Sequence, residues 1–169
     1  RLVQRQSQLY GEVVKQAAEN APAQLGYPDT DLGRQLKIVA QLIAGGLQTR
    51  VYSVSLGGFD THDAQVEENN HLSGEHAGLL AELNACTQAF MQDLEHNGVA
   101  ERVMGVTFSE FGRRIVSNAS LGTDHGAAAP LFVFGKEVEG GVEGSNPVLD
   151  TGMTYADNLP YEFDFRQVY

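Results

Sequence analysis

The sequence predicts an α/β protein, with a mostly parallel β-sheet flanked by helices. Three observations carry this reading. An alternating, β-branched run at Arg50–Leu56 and an apolar run at Arg102–Phe108 are separated by a long helical pattern. That strand–helix–strand spacing has the length of a parallel crossover. Glycine-flanked polar runs also leave the ends of both strand candidates, where parallel sheets gather their functional loops.

The elements follow in order. Leu2, Leu9, Val13 and Val14 repeat at a loose helical period, which predicts a helix over 2–19. Pro22, Gly26 and Pro28 mark the loop from Asn20 to Pro28. Asp29 or Thr30 caps a second helix over about 31–45, with Leu32, Leu36, Val39, Leu42 and Ile43 on one face. Gly45-Gly46 ends it. Arg50–Leu56 then reads as a strand, because apolar and polar side chains alternate and β-branched residues recur.

Asp63–Asn70 is polar and predicts an exposed loop. A long helix over about 73–97 carries a wide apolar stripe of Leu79, Leu80, Leu83, Cys86, Phe90, Met91 and Leu94. Asn97-Gly98 supplies its stop. Arg102–Phe108 and Ala129–Gly135 are the second and third strands, with a loop over 114–121 between them. Val138–Val148 is glycine-rich and suggests a turn or short hairpin. The stretch from Leu159 to Tyr169 has no turn or cap and reads as cut at the start of a helix.

The 169 residues suffice for a single domain and one buried core. Apolar residues make up 42% and charged residues 20%, an ordinary globular balance. No run approaches the ~18 consecutive apolar residues of a membrane span. The net charge of -11 argues against nucleic acid and anionic membranes as non-specific partners. The lone Cys86 allows no internal disulfide and reads as a small buried hydrophobe. The start, Arg-Leu-Val-Gln, shows neither initiator Met nor signal peptide, as in a mature or trimmed piece. Nothing in the sequence sets the oligomeric state.

Chemistry concentrates in three runs. In Gly57-Gly58-Phe59-Asp60-Thr61-His62, Asp60 and His62 stand two apart, so an extended backbone points both to one side. In Gly122-Thr123-Asp124-His125-Gly126, adjacent ligands serve two neighbouring ions, or one ion if the backbone turns. Carboxylate with imidazole suits Zn²⁺ or Mn²⁺ better than Ca²⁺ or Mg²⁺. Taken alone, each run reads as a polar turn sooner than as a ligand pair; the two together, each where a strand meets a loop, favour ligation.

The third run is Ser109-Glu110-Phe111-Gly112-Arg113. Glu110 is a candidate metal ligand, an acceptor that orients a histidine, or the partner of Arg113. Arg113 or Arg114 is a candidate for gripping a phosphate or sulfate through paired hydrogen bonds. The alternative is an ordinary surface ion pair. His71, His76 and His96 read as exposed. No nucleophile elbow, phosphate-binding glycine loop, dinucleotide fingerprint or Cys-rich zinc motif is present.

Taken together, G-G-F-D-T-H at 57–62, S-E-F-G-R at 109–113 and T-D-H-G at 123–126 resemble a bacterial family called domain of unknown function 1501. The helix from Leu83 to Gly98, the V-x-G-G-V-x-G stretch at 138–144 and the terminal D-F-R-Q-V-Y also resemble it, so the likeness covers about 30–169. The resemblance extends to the alkaline phosphatase/sulfatase superfamily and implies its α/β sandwich around a mixed sheet. The chain would then be the central-to-C-terminal part of a larger domain of that kind, incomplete at both ends.

The resemblance also implies a two-metal site. Asp60 and His62 are similar to a pair held on one loop for one ion, and Asp124 and His125 to a pair split between the two ions. Arg113 would neutralise the equatorial oxygens of a phosphoryl or sulfuryl group, so the implied substrate is a small anionic ester. The spacing departs from alkaline phosphatases, which place the first pair as D-x-x-x-H. The resemblance also implies a nucleophile and a first metal-binding Asp upstream of the residues present here and a later metal-binding His, whereas no His follows His125. The implied location is periplasmic or secreted. An inactive binding or assembly module of an exported or envelope system is the alternative expectation.

Overall fold

A computed structural model of the chain describes residues 2–21 and 25–168. Pro22 of the expected loop and Tyr169 of the expected last run lie outside them, as does the side chain of Leu2. The chain divides into two compact units, 1–57 with 80–103, and 58–79 with 104–169.

The first unit is helical. α1 spans Leu2–Asn20, α2 spans Asp31–Ala44, and α3 spans Glu75–His96, whose residues from Leu80 onward belong to this unit. The caps form where the sequence places them. The Thr30 side chain accepts from the Gly33 amide at the start of α2, and Gly45 follows its last residue. Gly45 also allows the end of α2 to approach α1, since a Cβ there would lie 2.5 Å from the Ala17 carbonyl oxygen. α3 ends in a Schellman motif. Gly98 adopts φ 66, its amide donates to Glu95 O, and the Val99 amide donates to Leu94 O.

This unit holds the apolar core. Leu32, Leu36, Val39, Ala40, Leu42 and Ile43 of α2 are buried, as are Cys86, Ala89, Phe90 and Leu94 of α3. Asp93 is buried among them at 1% exposure, accepting from the Tyr27 hydroxyl (3.0 Å) and the Asn97 amide (3.2 Å). A buried carboxylate requires such donors.

The mostly parallel, alkaline-phosphatase-like sheet flanked by helices is overturned. Among the described residues there are two sheets, each of two short antiparallel strands. Arg50–Leu56 keeps its alternation, since odd positions are exposed and even ones half-buried from Val51 to Leu56, yet it joins no ladder. One reason is local. The Gln35 amide takes the place of a neighbouring strand at Ser55, accepting from its N–H (3.1 Å) and donating to its carbonyl (3.0 Å).

The second unit contains both sheets. β1 (Met104–Val106) pairs antiparallel with β4 (Val133–Gly135), so the second and third strand candidates pair with each other. Phe134 lies across from Gly105, where only a glycine leaves room for the ring. β2 (Gly112–Arg113) pairs with β3 (His125–Gly126), Arg113 opposite His125. The expected hairpin over 138–148 forms no strands. None of this unit's described hydrophobic side chains is buried; its buried side chains are those of Thr61 and Thr123. Hydrogen bonds therefore set its geometry more than apolar packing does. Among the described residues no helix is long and apolar enough to cross a membrane.

Candidate metal centre

The β2–β3 pair builds the site. It brings the S-E-F-G-R and T-D-H-G runs into register, Gly112 opposite Gly126 and Arg113 opposite His125. Both glycines are required by close approach. A Cβ on Gly112 would lie 2.0 Å from Ala128 O, and one on Gly126 2.5 Å from Arg113 O. The G-G-F-D-T-H run joins them through Arg113, which donates from Nη1 to Thr123 O (2.7 Å) and from Nη2 to Phe59 O and to Asp60 Oδ1 (3.1 Å).

Asp60, His62 and His125 converge. Each offers one ligand atom, and these atoms lie within 4.8 Å of one another. Asp60 Oδ1 is 2.7 Å from His125 Nε2 and 3.1 Å from His62 Nε2. All three side chains remain open to solvent, at 59%, 46% and 48% exposure. The donor set of one carboxylate and two imidazoles fits Zn²⁺ or Mn²⁺ chemistry.

Asp124 stands behind this cluster. Its Oδ1 lies 3.0 Å from His62 Nδ1, so His62 is held between two carboxylates. A neutral imidazole has one N–H. With that hydrogen on Nδ1 toward Asp124, the Nε2 lone pair faces the Asp60 oxygen. Two acceptors so placed call for a cation or a proton between them. A carboxylate that orients a histidine for a metal in this way is a recurring arrangement.

Both carboxylates of the cluster are held in their ionised form. The hydrogen bond from His125, with the charges of His62, His125 and Arg113, holds the Asp60 carboxyl below the usual range against the opposing effect of desolvation. Hydrogen bonds from His62, Tyr155 and Asn118 do the same for Asp124.

Several supporting residues carry no metal signal in the sequence. Phe111 stacks on the His125 ring, with centroids 4.1 Å apart and planes 8° apart, and also lies beneath the Arg113 guanidinium. Asn118 donates to His62 O (2.7 Å) and accepts from the Ser120 and Gly122 amides. Arg114 donates from Nε to His125 O (3.1 Å) and from Nη1 to Tyr155 O, and lies over the Tyr155 ring. The donor bonds of Arg113 and Arg114 thus tie loops together. Glu110 is exposed, with no hydrogen bond or ion pair among the described residues. His76 is half-buried, packed edge-on against Phe59 with centroids 5.9 Å apart.

Comparison with known proteins matches residues 4–158 to a family described as "Protein of unknown function (DUF1501)". No curated protein and no solved structure matches the chain.

Proposed function

The chain belongs to the DUF1501 family, and we propose that it carries a divalent transition-metal centre, ligated by Asp60, His62 and His125, that serves hydrolysis of a phosphate or sulfate ester. One observation carries the metal reading: His62 lies between two carboxylate oxygens, at 3.0 Å and 3.1 Å, with a second histidine on one of them. Asp124 orients His62 and fixes which nitrogen is free to ligate. Arg113 holds Asp60, and Phe111 holds the plane of His125.

A divalent ion held there supplies a Lewis acid for a phosphoryl or sulfuryl oxygen and lowers the pKa of water. The exposed ligands leave room for a further position, as catalytic zinc sites do. Ester hydrolysis rests on the resemblance of the Asp/His runs to those of alkaline-phosphatase- and sulfatase-like enzymes, and a periplasmic or secreted setting on the resemblance to a family whose members often carry an export signal. The test is metal analysis after loading with Zn²⁺ or Mn²⁺, with hydrolysis of p-nitrophenyl phosphate and p-nitrophenyl sulfate. A bound ion and activity, both lost in Asp60→Ala, are expected. Failure to retain either metal overturns the reading.

A second reading is an inactive binding or assembly module that keeps the metal. It is favoured by the two hydroxyls beside the ligands. Thr61 and Thr123 are 1% and 8% exposed and both donate to the Gln65 side chain. Neither is placed as a nucleophile. Metal retention without turnover of either ester supports this second reading.

A further inference from the structure

Gln65 joins the two ligand-bearing loops at a single atom. Its Oε1 accepts from Thr61 Oγ1 at 3.1 Å and from Thr123 Oγ1 at 2.7 Å. An amide oxygen has two lone pairs, so both bonds are satisfied together. Thr61 stands between Asp60 and His62 in the chain, and Thr123 immediately precedes Asp124 and His125. The loops also meet directly, through the Thr123 amide and Thr61 O at 3.4 Å. The Gln65 backbone carbonyl accepts from the His76 amide, which anchors it to the first turn of α3. Among the described residues this unit has no buried hydrophobic side chain, so the loops are joined chiefly by polar contacts, with Arg113 and Asn118 also linking them.

We propose that Gln65 is a positioning residue for the metal centre, which sets the register of the Asp60/His62 loop against the Asp124/His125 loop through Thr61 and Thr123. This rests on the metal reading above. The ligand atoms come from both loops, so a slip of either separates them. Residues that orient ligands from outside the coordination shell change metal affinity by about 10–100-fold. The tie needs hydrogen-bond acceptors at position 65, not a particular charge there.

The test compares four proteins by zinc affinity, in chelator competition, and by the visible spectrum of bound Co²⁺. They are the wild type, Gln65→Leu, Gln65→Glu and the triple variant Thr61→Val/Gln65→Leu/Thr123→Val. Gln65→Leu leaves two buried hydroxyls without their acceptor and is the variant at risk of misfolding. The triple variant replaces the whole knot with apolar groups of similar shape and keeps the question open to experiment. The expected result is affinity within about threefold of wild type for Gln65→Glu. A loss of about tenfold or more, with altered Co²⁺ bands, is expected for the triple variant and for Gln65→Leu if folded. A triple variant that binds like the wild type overturns the positioning role alone. A wild type that binds no metal overturns the metal reading and this inference with it.

Discussion

Asp124 holds His62: its Oδ1 lies 3.0 Å from His62 Nδ1, on the side of the ring away from Asp60. The contact commits one imidazole nitrogen and leaves the other directed at the cluster. Asp124→Ala should therefore weaken zinc binding by about 10–100-fold without removing a ligand. Chelator competition measures this, and an unchanged affinity would show that His62 needs no such partner.

Arg113 reaches three groups on two loops, which a lysine cannot do with one ammonium on a flexible stem. Arg113→Lys should lower stability by about 1.5–3 kcal/mol, the range for lost hydrogen bonds to a charged group. Zinc affinity should fall with it. Thermal unfolding and metal competition on one preparation check both effects. Retention of both would mean that the guanidinium fork is dispensable.

Gly122 is buried against the chain that carries His62. A Cβ there would lie 2.2 Å from His62 O and 2.3 Å from the His62 carbonyl carbon. Backbone must move to admit it, so Gly122→Ala should destabilise by about 1–3 kcal/mol. His62 should shift as well. Wild-type stability together with wild-type zinc affinity would contradict this packing.

Tyr27 makes a separate prediction in the first unit. Burial first, then the charge and hydrogen bond of Asp93, push its hydroxyl pKa far above the ordinary value. The folded state thus holds this proton more tightly than the unfolded state. Below about pH 10 both states keep the proton and Tyr27 adds no pH dependence. As pH rises beyond that, the unfolded chain ionises first and stability falls. Tyr27→Phe should remove this alkaline slope while lowering stability at neutral pH by about 1–3 kcal/mol, because Asp93 loses a donor. Denaturant unfolding between neutral and strongly alkaline pH reads both; an unchanged slope would contradict it.

What was legible in the sequence follows from how local each signal is. Thr30, Gly45 and Gly98 act on their own helix ends, and α2 and α3 form within a few residues of the expected limits. Strand pairing depends on distant partners. Arg50–Leu56 has the alternation of a strand but meets the Gln35 amide at Ser55 and no ladder. β2 and β3 have two residues each, too short for any periodic signal.

The same division holds at the site. Asp60, His62 and His125 were readable as ligand types beside glycines, and Asp124 as their neighbour. Gln65, Phe111 and Asn118 were not, because an amide or an aromatic ring in a loop gains meaning only when its partner is known. In the sequence Arg113 stands out as a candidate anion-gripping cation, whereas the structure directs its donors to Thr123 O, Phe59 O and Asp60 Oδ1.

The central claim is that Asp60, His62 and His125 hold a single ion. X-ray absorption at the zinc edge of the loaded protein tests it most directly. The account predicts a shell of nitrogen and oxygen at about 2.0–2.2 Å, with no sulfur, and the outer scattering of imidazole rings. That imidazole signal should weaken in His62→Ala and in His125→Ala. A spectrum without imidazole scattering, or one unchanged from wild type in both variants, would contradict it.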